Sequence, residues 1–346
     1  MISARFIKHC LQFIKPAQTS RDTLLSKDTF YLILFDTKTG STGIGECSMI
    51  PGLSLDNPAL YETVLHDLCI SELQTDLTNF PSIRFGLETA LVDLKNGGSK
   101  ILFDNDFSNG LKSIPINGLI WMAGRDDMKM QIKQKIEAGF SCIKIKIGTL
   151  DFKDEFEFLK NIRKEYPPGD ITLRLDANGA YAADIALEIL KKLSELDIHS
   201  IEQPIKAGNW DEMANICEKS PVPVALDEEL IRISNFERKQ LLVNTLKPAY
   251  LVLKPSLLGG FLSCIEWITL AKATNTDWWI TSALESNIGL NAIAQWTANF
   301  ELTMPQGLGT GSLYSNNIDS PLEVKNGELY YRKEREWGEI IYDFRF

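Results

Sequence analysis

Ser141-Cys142-Ile143-Lys144-Ile145-Lys146-Ile147-Gly148 is the stretch whose reading decides the fold. Apolar β-branched residues alternate with lysine, and a period of two is strand geometry. Ile143, Ile145 and Ile147 therefore share one face, and Lys144 and Lys146 share the other. An ordinary half-buried strand would leave the lysines in water. The neighbouring sequence argues against that: an amphipathic helical pattern over 126–138 ends at Gly139, and a second runs over 151–165. A strand between two helices belongs in a parallel sheet whose outer face is covered. The lysines then point into a barrel interior or a cleft, where an ammonium group is costly without a partner or a task.

Working outward, the pattern from Ile114 onward alternates strand and helix. Candidate strands are Ile114–Leu119, Cys142–Ile147, Ile171–Asp176, Ser200–Gln203, Val222–Asp227, Tyr250–Lys254, Trp278–Ser282 and a weaker Leu302–Pro305. Ionisable residues at successive strand ends, Lys146, Asp176, Glu202, Asp227 and Lys254, are separated by 30, 26, 25 and 27 residues. One β/α unit fits each interval, the signature of a (β/α)8-type barrel, whose active site lies at the C-terminal strand ends. Before Ile114 the order differs. Strands over 6–14, 29–36 and 43–46 precede helices over 58–77 and 82–96, and the segments 15–28 and 47–57 read as loops, the first polar and mobile. The tail contains strand-like pieces at Glu328–Arg332 and Glu339–Tyr342. The expected class is α/β: a barrel over residues 113–311 and an α+β capping domain from residues 1–112 and 312–346.

Composition bounds the function. The chain has 346 residues and a formal net charge of −10, which disfavours nucleic acid or an anionic membrane surface as a partner. No uncharged apolar run reaches the roughly 18 residues that span a bilayer. Six scattered cysteines without a C-x-x-C pair read as reduced thiols in a cytoplasmic protein. His9, His66 and His199 are isolated, and nothing in the sequence fixes an oligomeric state.

The third, fourth and fifth barrel strands end in Asp176-Ala177-Asn178, Glu202-Gln203-Pro204 and Asp227-Glu228-Glu229. One carboxylate at a strand end is usually a helix cap. Three on neighbouring strands repel unless a cation joins them, and an all-oxygen set selects Mg2+, or Mn2+, over Zn2+. Lys146 on the second strand and Lys254 on the sixth stand opposite each other in a ring of eight. A small-molecule carboxylate gripped by the metal would then have an amine on each face. That arrangement suits removal of a proton α to a carboxylate, with the metal stabilising the enediolate. The base must be neutral, whereas a free lysine titrates near 10.4. Bringing that to about 7–8 disfavours the cation by roughly 3–4 kcal/mol. Lys146 is the expected base, and Lys144, two residues away on the same face, tunes it.

These residues resemble the enolase superfamily in its muconate-lactonising-enzyme-like branch: Lys144-Ile-Lys146, Asp176-Ala-Asn178, Glu202-Gln-Pro204, Asp227-Glu228 and Lys254-Pro-Ser256, in order, one per β/α unit. The resemblance implies Mg2+ held by Asp176, Glu202 and Asp227, with Lys146 and Lys254 as the acid/base pair. It implies supporting or substrate-binding roles for Asn178, Glu228, Ser282 and Glu285. Three further stretches, Pro115–Ile120, Lys254–Gly260 and Ser282–Gly289, are similar to the o-succinylbenzoate synthase family of menaquinone synthesis. Its members dehydrate 2-succinyl-6-hydroxy-2,4-cyclohexadiene-1-carboxylate. Tyr181 and Glu229 depart from the branch's usual residues, and both are expected at the rim. N-succinylamino acid racemases and dipeptide epimerases of the same branch are the rival, with Glu285 then holding the substrate's amino group. A phosphate- or flavin-binding barrel is the rival of another class, on the strength of Gly307-Leu-Gly309-Thr-Gly311. That turn is more simply a link from barrel to tail.

Overall fold

A computed structural model describes residues 1–18 and 23–340 of the chain. It opens with three antiparallel strands, β1 (Ile2–Gln18), β2 (Thr23–Asp36) and β3 (Thr42–Cys47), in the order β1-β2-β3. Helices α1 (Tyr61–Ile70) and α2 (Pro81–Lys95) cover this sheet. Packing of α2 on β3 is so close that a Cβ on Gly45 would lie 1.9 Å from the Gly86 carbonyl oxygen. Only glycine tolerates that approach.

Next come β4 (Ile114–Pro115), β5 (Gly118–Ile120), α3 (Arg125–Glu137), β6 (Cys142–Lys146), α4 (Phe152–Glu165), β7 (Thr172–Asp176) and α5 (Ala183–Leu193). The barrel continues through β8 (Ser200–Glu202), α6 (Trp210–Lys219), β9 (Val224–Leu226), α7 (Phe236–Leu246) and β10 (Tyr250–Leu253). After β10 come α8 (Pro255–Leu258), α9 (Phe261–Ala273), β11 (Asp277–Ile280) and α10 (Asn287–Thr297). Among the described residues β5 to β11 form a parallel seven-stranded sheet in sequence order. The expected eighth strand at Leu302–Pro305 is not formed. The two residues that follow it, Gln306 and Gly307, close the ring instead, bridging Ile116 and Thr281. The Gln306 backbone N–H donates to Pro115 and the Gly307 N–H to Ile280. Pro305 has no N–H to offer a ladder, which leaves the closing contact to its successors.

Ile143, Ile145 and Ile147 are fully or almost fully buried against the helical layer, each contributing about 2 kcal/mol of transfer free energy. That burial sets the register, because a slip by one residue would exchange isoleucine for lysine. After β10 the helical stretch is two helices, α8 and α9, broken at Gly259 and Gly260, whose φ values are +89° and +98°. The segment 15–28 is also corrected. β1 and β2 extend through it, with Ala17 paired to Leu24 and Gln18 to Thr23 after a register shift. Cross-strand hydrogen bonding organises a stretch whose side chains carry no period; the positions between Gln18 and Thr23 lie outside the described residues.

In the tail, β12 (Leu322–Lys325) and β13 (Glu328–Tyr331) form a hairpin that pairs with β4. Tyr314 bridges Phe13 of β1, and Ile318, Trp337 and Ile340 pack with Tyr31, Ile33 and Ile44. Glu339 and Ile340 are not in a strand, and the rest of that expected piece lies outside the described residues. Among the described residues no helix is long and apolar enough to cross a membrane. All six cysteines are free.

Candidate active site

Strand register builds the site. Lys146 of β6 lies opposite Asp176 of β7, and Asp176 lies opposite Glu202 of β8. Lys144 and Lys146 are on the inner face, as the alternation requires. Both line a cavity of about 520 Å3 together with Asp176, Asn178, Glu228 and Lys254. β6 and β10 are four places apart in the sheet, so Lys146 and Lys254 approach this cavity from opposite staves.

Each ammonium group is engaged. Lys144 Nζ donates to both oxygens of Glu202 at 2.7 Å and lies 2.9 Å from Asp176 Oδ2. Lys146 Nζ is 3.0 Å from Asp176 Oδ2 and donates to Asn178 Oδ1 at 2.6 Å. Lys254 pairs with Asp227. Asn178 in turn donates to Glu228 at 2.9 Å, so these two polar residues form one chain ending on Lys146.

Asp176, Glu202 and Asp227 are almost wholly buried. Burial disfavours their charged forms, and each repels the others. Burial first, then Asp176, push Glu202 up to about 7 despite its contact with Lys144. Burial also raises Asp227. Asp176 goes the other way, because Lys144 and Lys146 together outweigh its burial. Burial would lower Lys254, but Asp227 and Glu202 beside it hold its ammonium above the ordinary lysine value. The same balance, set by Asp176 and Glu202, raises Lys144. Among the described residues no three acids close on one point as an ion-binding cage: ammonium groups stand between them. The donor set still fits a hard divalent cation. Three adjacent carboxylates without sulfur or imidazole are Mg2+ chemistry, and an acid raised to about 7 by burial and a neighbouring carboxylate is one that added positive charge relieves.

Ser282 lines the cavity and shares a 2.8 Å hydrogen bond with Thr310. Glu285 does not line it. Fully buried behind the wall, it accepts from Ser256 Oγ and from the Ala283 N–H, so it is not placed to hold a substrate's amino group. Tyr181 and Glu229 are likewise buried off the cavity, Glu229 accepting from Gly208 N–H at 2.8 Å and Gln203 Nε2 at 3.2 Å. Neither is at the rim as expected. Gln203 is a residue whose part the sequence reading missed: its Oε1 accepts from the backbone N–H groups of Asp227 and Glu229 and so fixes where β9 ends. Its signal was present in the Glu-Gln-Pro motif. The glycine-rich turn helps to close the barrel, with Gly307 O accepting from Ser282 N–H and Thr281 Oγ1, and its Gly307 and Gly309 line the cavity.

The lid comes from the first module: Leu24, Ile50, Pro51, Gly52 and Leu53 line the same cavity. A family model described as enolase C-terminal domain-like matches residues 127–335. The chain belongs to the enolase superfamily. Within the superfamily it is 44% identical to an o-succinylbenzoate synthase of Desulfotalea psychrophila, over 92% of this chain and 96% of that one. The crystal structure of MenC from the same organism superposes with a TM-score of 0.85 and 40% identity, covering 95% of this chain and 99% of that one. An L-Ala-D/L-Glu epimerase of Bacillus subtilis is 24% identical over 92% of this chain and 88% of its own length. The substrate-liganded structure of that epimerase reaches a TM-score of 0.82 at 17% identity, covering 97% of this chain and 96% of that one, a likeness of fold alone.

Proposed function

We propose that this enzyme is an o-succinylbenzoate synthase, a hydro-lyase of menaquinone biosynthesis that dehydrates 2-succinyl-6-hydroxy-2,4-cyclohexadiene-1-carboxylate. The observation that carries the reading is the 44% identity over nearly the full length of both chains, joined to lysines on opposite staves of one cavity. Residues 113–311 are read as the catalytic barrel and residues 1–112 with 312–346 as its cap. Free cysteines and the substrate's small, charged nature favour a cytoplasmic enzyme.

Asp176, Glu202 and Asp227 are the residues that would hold Mg2+, or Mn2+ in its place. When bound, the ion supplies positive charge against the substrate carboxylate as its α-carbon loses a proton. Lys146 takes that proton from C1. The C1–H pair becomes the C1–C6 double bond, the C6–O bond breaks, and Lys146 returns the proton to the departing hydroxide, which leaves as water. Asn178 orients Lys146, and Glu228 orients Asn178. Lys144, held cationic two residues away on the same face of the strand, is the residue that tunes the base. Lys254, held cationic by Asp227, faces the negative charge that develops on the other side of the ring. Aromatisation drives the reaction.

Lysines on opposite staves also suit proton exchange between two faces of a substrate, which keeps N-succinylamino acids as the second reading. Against it stands Glu285, turned away from the cavity. Purified enzyme with Mg2+ is to be assayed on both substrates. The proposal expects o-succinylbenzoate formation to exceed α-deuterium exchange into N-succinylamino acids by several orders of magnitude; the reverse ranking makes the enzyme a racemase.

A further inference from the structure

Two acids of the cap, one half-buried and one fully buried, sit at the starts of two consecutive barrel helices. Glu88 of α2 accepts from the Phe261 and Leu262 backbone N–H groups at the start of α9. Glu46 of β3 does the same for α10. It is fully buried and accepts four hydrogen bonds: from Thr29 Oγ1 at 2.7 Å, Ser286 N–H at 2.8 Å, Ser286 Oγ at 2.5 Å and Gly289 N–H at 2.8 Å. A Cβ on Gly289 would lie 2.9 Å from Glu46 Oε2, so this helix start is shaped to receive an acid from another part of the chain. N–H groups left bare at a helix start are normally capped by the helix's own preceding residue. Here Ser286 is that cap, and it donates onward to Glu46.

Both walls of the substrate cavity hang from this point. After Glu46 the chain passes Ser48, which Lys27 anchors, and reaches the lid residues 50–53. Before Ser286 it passes Ser282, Ala283 and Leu284, which line the same cavity. Leu284 has a φ of +64°, a conformation that a leucine adopts only where its surroundings impose it. Tyr314 Oη donates to its carbonyl at 2.8 Å, and Glu285 takes the Ala283 N–H at 2.6 Å.

We propose that Glu46 is a positioning residue for the reaction: by capping α10 from the cap it locks the lid loop 47–53 to the wall loop 282–285 and sets the shape of the substrate cavity. Its kinetic part rests on the substrate proposed above; its structural part does not. Each Glu46 oxygen accepts from one hydroxyl and one backbone N–H; the hydroxyls can turn to accept, but the N–H groups cannot, so an amide in its place sets an NH2 against a backbone N–H and costs that N–H its acceptor.

The test uses Glu46→Gln in the full-length enzyme, read by amide hydrogen exchange without substrate and by steady-state kinetics. Exchange is expected to quicken in both 47–53 and 282–289 and to stay unchanged in β6, β7 and β8. The KM is expected to rise about tenfold with kcat nearly unchanged, and Glu46→Asp is expected to recover part of that loss. Unchanged exchange in either loop, or a fall in kcat at constant KM, overturns the proposal. Should Glu46→Gln not fold, Ser286→Ala removes one donor to Glu46. It should move exchange and KM in the same direction by less, and no change in either overturns the proposal. Absence of dehydratase activity in the unmodified enzyme would remove the function proposed above and leave the exchange result standing.

Discussion

The barrel mouth and the seam between cap and barrel both bury carboxylates, and they satisfy them differently. At the seam, Glu46 is held by backbone N–H groups and hydroxyls, and Glu285 by Ser256 and a backbone N–H. Those partners are fixed by the fold and cannot leave. At the mouth, Asp176, Glu202 and Asp227 are held by Lys144, Lys146 and Lys254, whose long side chains can turn to a metal-bound substrate. Carboxylates bonded to the main chain keep a shape; carboxylates bonded to ammonium groups keep charge available for exchange. The comparison sorts five acids of similar burial into two jobs.

The sharpest way to break the comparison is to remove an ammonium from the mouth. Lys146→Ala should reduce kcat by about 10^3-fold or more while circular dichroism and Mn2+ binding stay as in the parent; residual turnover near the parent level would take Lys146 out of the mechanism. Lys254→Ala should cost about 10^2–10^3-fold in kcat, the size of losing one charge-stabilising donor, measured in the same assay. Removal of metal with EDTA should abolish activity and Mg2+ or Mn2+ should restore it. Because Glu202 sits at about 7, it binds a proton below that pH, and that proton competes with the metal. Apparent metal affinity, measured by calorimetry, should therefore rise with pH and level off above about 7, losing about tenfold per unit below it. A pH-independent affinity would separate Glu202 from the metal.

The smallest effect belongs to an acid that serves only the cap. Burial outweighs the hydrogen bonds from Ser82 and lifts Asp56 to about 6. Unfolded, it would titrate near 4, so the folded state holds the proton more tightly and is favoured at low pH. Stability from this group is present below about 4 and is lost as pH rises through about 6, by about 2–3 kcal/mol. Denaturant titrations of Asp56→Asn should show a flatter profile across that window than the parent, with kcat unaltered.

How far the sequence reveals this depends on whether a feature is local. Alternation of isoleucine and lysine in 142–147 and the spaced strand-end acids are written in neighbouring residues, and the register found pairs Lys146, Asp176 and Glu202 as that pattern requires. The extension of β1 and β2 through 15–28 is not local: it depends on pairing across a hairpin whose side chains lack a period. The closing stave at Gln306–Gly307 is two residues long and has no strand pattern to find. Glu285 sits in a stretch resembling catalytic relatives, yet only three dimensions reveal that it faces Ser256. Glu46 and Ser286 are 240 residues apart, and no spacing rule links them.

The measurement that bears most directly on the central claim is a crystal structure of the enzyme with Mn2+ and o-succinylbenzoate. Anomalous scattering should locate one ion shared by Asp176, Glu202 and Asp227, with the Nζ atoms of Lys146 and Lys254 on opposite faces of the aromatic ring. An ion bound elsewhere, or both amines on one face, would contradict the account.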